Sequence, residues 1–135
     1  MPKQKILALL EQTYCRLRAS TLEGVGVFAI REIPPGINPF EGMHDEEWLT
    51  FTMDELNDLH PEIKKMIDDF FVIEKDGTVR IPASGLNGMD TSFYVNNSDH
   101  PNLETKEGFL FMTTRTIQPG EELTVAYSTY DEKYA

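Results

Sequence analysis

A chain of 135 residues is long enough for one domain with a real core and too short for two ordinary ones, and its 12 Lys and Arg against 23 Asp and Glu leave a formal net charge of -11. That charge repels phosphate backbones and anionic membranes and attracts basic partners, which argues against direct binding of nucleic acid or membrane. Cys15 is the only cysteine, so no intrachain disulfide and no cysteine-based zinc cluster can form within this chain; a reducing, intracellular setting is expected, cytoplasmic, or nuclear in a eukaryote.

The opening stretch, MPKQKILALLEQ, is apolar only from Ile6 to Leu10, too short for a membrane span or a signal-peptide core. GVGVFAI (24–30) has a strand composition opened by glycines, and IPPG (33–36) stops it with a turn. TMDELNDLHPEIKKMIDDFF (52–71) is the one clear helical region. Thr52 and Glu55 make a capping box there, and Pro61 suits the first turn of a second helix, so two helices are expected to meet near His60. FFVIEKDGTVRIP (70–82) reads as a hairpin with Asp76-Gly77 in its turn. FLFMTTRTI and EELTVAY, on either side of QPG within 109–127, read as two more strands around a Pro-Gly turn. The expected architecture is a single α+β domain over 1–135, mostly β with a short helical insert and without repeats or linkers.

Common catalytic constellations are nearly absent. His44, His60 and His100 are scattered without metal-ligand spacing, and no HExxH pattern occurs, so no metal site is expected. Ser98 lacks the flanking glycines of a nucleophile elbow. The adjacent pairs Glu46/Glu47 and Glu121/Glu122 diverge in regular structure and are expected to be solvated, with no chemical role. YVNNSDHPN (94–102) is different: two apolar residues run into a polar knot that Pro101 stiffens, which suits either a polar turn or the lining of a site.

Three segments in one order carry a resemblance. GVGVFA, then NNSDHPN, then PGEELTVAY resemble the SET-domain protein lysine methyltransferases, whose pattern is GxG followed by an aromatic, then NHSxxPN, then GEELTxxY. The likeness spans about Leu22 to Tyr127. It implies a SET β-clip architecture with a knot-like C-terminal core, in which the 94–102 segment threads under the C-terminal strand. It also implies S-adenosylmethionine as cofactor and a lysine in a basic protein or peptide, histone-like or other, as substrate. Gly24, Val25, Gly26, Val27 and Phe28 match the cofactor-binding glycine segment, where a backbone without Cβ can approach a ligand closely. Tyr94 and Asn96 match the residues leading into and opening the asparagine motif, Ser98 its serine, and Pro101-Asn102 its close. Asn97 stands where the family usually has histidine, and is expected to face the cofactor. Tyr127 matches the active-site tyrosine.

Two departures concern the substrate. Phe40 falls where many members carry a channel tyrosine, so a hydroxyl is missing there. Residues 128–135, a short aromatic tail with Tyr130 and Tyr134, replace the family's cysteine-rich zinc-binding tail, and Tyr130 or Tyr134 is expected to close the site. The alternatives are a SET-like module that has lost catalysis but still recognises a basic segment, favoured by Asn97 and Phe40, and an acidic interaction domain without cofactor.

Overall fold

Residues 2–40, 47–106 and 110–129 are described by a computed structural model. In chain order the elements are α1 (Pro2–Glu11), β1 (Cys15–Ala19), β2 (Val25–Ala29), β3 (Trp48–Thr52), α2 (Pro61–Phe70), β4 (Thr78–Pro82), β5 (Asn96–Asn97), β6 (Leu103–Lys106), β7 (Leu110–Thr113) and β8 (Glu122–Val125), with 3-10 turns at Gly85–Gly88, Thr91–Tyr94 and Tyr127–Thr129. Short strands dominate, as expected. No helix among the described residues is long and apolar enough to cross a membrane.

The sheet that matters has the order β1-β2-β8-β5. β1 and β2 pair antiparallel from Cys15↔Ala29 to Ala19↔Val25, with Gly24 at φ 40 in the turn between them. β8 pairs antiparallel with β2 through Glu122 and Leu123 and parallel with β5 through Thr124 and Val125. Two segments separated in sequence, 94–102 and 120–127, therefore lie side by side. Pro119-Gly120 makes the expected turn into β8, with Gly120 at φ 88, a left-handed conformation that only glycine adopts at little cost.

Alternation on these strands feeds the main core. Val27, Ile33, Leu103, Ile117, Leu123 and Val125 are fully buried, and Ala29, Phe40 and Val95 complete the cluster. Ile33 bridges Ile117 in antiparallel fashion, which ties the IPPG turn to the chain before β8. A second core holds Leu56, Ile67, Phe71 and Val79 under the β3–β4 ladder. The two cores meet where Phe70 stands edge-on to Tyr94, ring centroids 5.5 Å apart, a geometry aromatic pairs favour.

Two expectations for the middle of the chain need correction. The capping box forms, with Thr52 N donating to Glu55 Oε1 at 3.0 Å and Glu55 N to Thr52 Oγ1 at 3.2 Å, yet turns rather than an α-helix follow it. The stretch is short, Asn57 and Asp58 favour turns over helix interiors, and Pro61 holds His60 extended at ψ 137. A helix begins only at Pro61, where His60 Nδ1 accepts from Glu62 N at 3.1 Å. The 70–82 hairpin is reduced to one bridge, Ile73↔Val79, around Gly77 at φ 80; β4 takes its full ladder from β3 instead. The two strands expected on either side of QPG both form, and each finds its partner elsewhere: β7 pairs with β6, and β8 with β2 and β5.

Candidate active site

The end of β1, the Gly24–Gly26 turn, the Asn96-Asn97 pair and the Glu122–Tyr127 segment converge at one place. Asn96 is buried and its carboxamide is oriented without ambiguity, because only its Nδ2 end can donate to the three acceptors around it. These are Glu23 O at 3.1 Å, Val25 O at 3.2 Å and Glu122 Oε2 at 2.8 Å. The asparagine thus fastens the glycine turn to the rest of the site.

Glu122 corrects the expectation that both glutamates of the last motif are solvated and idle. Adjacent residues on a strand face opposite ways. Glu121 turns outward, accepting from Arg115 Nη2 at 2.9 Å and Gln118 N at 2.8 Å, and Arg115 holds its carboxyl below the usual carboxylate range. Glu122 turns inward, and its carboxylate accepts from Ser20 Oγ at 2.7 Å as well as from Asn96. A Cβ placed on Gly26 would fall on that carboxylate, with Glu122 Cδ at 2.8 Å and Asn96 Nδ2 at 3.1 Å. The absence of a side chain on Gly26 leaves the space that the Glu122 carboxylate occupies, and any Cβ there would have to push that carboxylate aside. Gly24 differs: a side chain on it would meet no atom within 4 Å, so its left-handed backbone is open to approach from outside.

Asn97 and Tyr127 are coupled. Asn97 Oδ1 accepts from Tyr127 N at 2.8 Å, and Tyr127 Oη donates to Val95 O at 2.6 Å. The tyrosine is therefore held at its backbone by Asn97 and at its hydroxyl by Val95, on either side of Asn96. Asn102, almost wholly buried at 2% exposure, braces β8 from its own segment: its Nδ2 donates to Glu122 O at 2.9 Å and its Oδ1 accepts from Thr124 N at 2.8 Å. Ser98 contributes its N–H to Val125 O at 3.0 Å, and its Oγ accepts from His100 N at 3.0 Å.

The remaining sequence-derived candidates fall in different places. Val25 is exposed beside the turn, Phe28 is half-buried, and Val27 sends its side chain into the main core. Tyr94 is half-buried between the two cores and flanks Asn96. Phe40 is 7% exposed and packs edge-on against Phe111 at 5.9 Å, so its ring faces the core rather than open surface. Tyr130 and Tyr134 lie outside the described residues. Cys15, half-buried against the main core, has its thiol pushed up to about 12 by desolvation. It stays a neutral thiol at ordinary pH and offers no nucleophile. Sequence reasoning passed over Ser20, Glu122 and Asn102 as functional groups; only the last two sit inside motifs that could have flagged them.

Two groups at this place remain open to a ligand. The turn presents an open left-handed glycine, and Asn97, exposed, keeps an amide Nδ2 without a partner among the described residues. A scan against protein families matches the SET domain over residues 24–128. Among solved structures the chain is similar to the methyltransferase domain of human PR domain-containing protein 2, at 20% identity and a TM-score of 0.54, over 84% of this chain and 76% of that one. It is also similar to a candidate histone methyltransferase of Plasmodium falciparum, at 18% identity and a TM-score of 0.51, over 85% of this chain and 93% of that one. At such identities the likeness speaks for the fold alone. A search of curated proteins finds no match.

Proposed function

The chain belongs to the SET-domain family, and from that premise we propose that it transfers a methyl group from S-adenosylmethionine to a lysine side chain of a basic protein or peptide. The observation that carries this reading is that two hydrogen-bonded networks meet at β5: Asn96 ties down the Gly24–Gly26 turn, and its neighbour Asn97 holds the backbone of Tyr127. Gly24, Val25 and Gly26 would hold the cofactor through their backbone, with Asn97 and Tyr94 beside them and Asn96 keeping the turn in place. S-adenosylmethionine supplies, when bound, a sulfonium methyl open to direct displacement by an amine.

The chain's own residues then have to align that amine in its neutral form, its proton having passed to solvent before entry, which demands no covalent nucleophile. A free lysine has a pKa of about 10.4, and entry into an apolar passage disfavours its ammonium form. Tyr127 has its hydroxyl hydrogen directed at Val95 O. What its oxygen presents to an incoming amine is therefore acceptor capacity, which orients an N–H bond and leaves the nitrogen lone pair to point elsewhere. The ring next to that oxygen accommodates positive charge. The charge balance favours a basic substrate. Residues 1–31 hold Lys3, Lys5, Arg16, Arg18 and Arg31 against Glu11 and Glu23, so the net charge of -11 arises wholly from the rest of the chain.

Titration calorimetry and thermal unfolding with S-adenosylhomocysteine test the reading. A ligand at a hundredfold excess over its Kd stabilises the folded state by about 2.7 kcal/mol, which raises Tm by roughly 5–11 °C for a domain of this size. No heat of binding and no shift at saturating ligand would remove the cofactor from the account.

A further inference from the structure

We propose that Ser20 and Glu122 are positioning residues that set the shape of the cofactor turn, an inference that rests on the methyltransferase reading above. The turn from Ser20 to Gly26 is poorly held by packing: its apolar side chains, Leu22 and Val25, are 54% and 46% exposed. Hydrogen bonds hold it instead, and most of them pass through Ser20. Its N–H donates to Gly24 O at 2.7 Å. Its Oγ accepts from Leu22 N at 2.9 Å and from Glu23 N at 3.4 Å while donating to Glu122 Oε1 at 2.7 Å. One hydroxyl thus links the backbone of the turn to β8.

Glu122 completes the link from the other side. Its backbone pairs with Phe28, but its side chain reaches back along β2 to the space beside Gly26, where Asn96 also meets it. A carboxylate is acceptor-only and can serve Ser20 and Asn96 at once, whereas an amide would turn an N–H toward one of them. The bonds to an ionised acceptor are the stronger kind. Neither residue needs to touch the ligand. They fix the backbone that does, and misplacing that backbone weakens binding without disturbing the substrate side of the site.

The experiment compares wild type with Ser20→Ala, Ser20→Thr and Glu122→Gln. S-adenosylhomocysteine affinity is measured by calorimetry, KM for a basic peptide by methyl transfer, and stability by urea titration. Ser20→Ala and Glu122→Gln should each weaken the ligand about tenfold while leaving peptide KM within about twofold. Ser20→Thr, which keeps a hydroxyl, should restore affinity to within about twofold of wild type. A purely structural role would instead shift the urea midpoint and leave the affinity of the remaining folded protein unchanged. Wild-type affinity in Ser20→Ala, or a loss in Ser20→Thr equal to that in Ser20→Ala, overturns the proposal. Absence of ligand binding by the wild-type chain would take down the cofactor reading itself, and this inference with it; binding that ignores Ser20 overturns only the inference.

Discussion

Asn102→Ala isolates the brace on which β8 depends. Asn102 is 2% exposed, and its carboxamide satisfies two main-chain groups of β8, the Glu122 carbonyl and the Thr124 N–H. Alanine leaves both without a partner in a place where Thr124 is itself buried. An unsatisfied buried backbone group costs about 1–3 kcal/mol, so the pair amounts to about 2–6 kcal/mol. That is a large share of the 5–15 kcal/mol that holds a typical domain together. Taking roughly 4 kcal/mol as the centre, Tm should fall by roughly 8–16 °C. Urea titration followed by far-UV circular dichroism, with the exposed Asn57→Ala as a control expected within about 0.5 kcal/mol of wild type, measures the loss. An Asn102→Ala midpoint indistinguishable from that control would show that β8 is held without the carboxamide, and the reasoning about this brace would fail.

Other consequences concern protons. Asn97 Oδ1 accepts from Tyr127 N at any pH, whereas an imidazole accepts only while neutral. In Asn97→His, methyl transfer should therefore fall off below about pH 6.5, where histidine protonates; kcat profiles of wild type and variant that superimpose would contradict this. Desolvation raises the Cys15 thiol from an ordinary value of 9.0 to about 12. The folded state thus holds a proton that the unfolded state releases, so this contribution to stability is complete below about pH 9 and is lost as pH rises toward 12. The urea midpoint should decline over that interval in wild type and less so in Cys15→Ala. At pH 8 iodoacetamide should label Cys15 slowly in the folded protein and quickly in urea; equal rates would place the thiol in solvent.

Elements signalled by local chemistry were legible in the sequence. A glycine-opened β-branched run became β2, Pro61 opened α2, and Pro119-Gly120 turned the chain into β8. Elements decided by partners were not. Thr52 and Glu55 satisfy each other as a capping box would, but Thr52 already ends a strand paired with Thr78, and no helix propagates from it. β4 pairs with β3 rather than with the segment across its own tight turn, a choice that depends on Trp48–Thr52 and not on Asp76-Gly77. The site shows the same division. Gly24, Gly26, Asn96 and Tyr127 could be placed from motif order, since each motif is contiguous. Ser20 could not, because its carboxylate partner lies 102 residues further along the chain. Glu122 was misread for a related reason: alternation on β8 does send adjacent glutamates apart, but it sends one of them into the site.

If the methyltransferase reading holds, the residues around Tyr127 deliver a methyl group to lysine. The most direct measurement is transfer of labelled methyl from S-adenosylmethionine to a panel of basic proteins by the wild-type chain and by Tyr127→Phe, with S-adenosylhomocysteine affinity measured in parallel. Wild type should place label on lysine. Tyr127→Phe should lose roughly tenfold or more in kcat, with ligand affinity within about threefold, because the missing hydroxyl acts mainly in the transition state. Equal turnover by the two proteins would remove Tyr127 from the chemistry. Tight ligand binding by the wild type with no label on any lysine would contradict the enzyme and leave a domain that only binds.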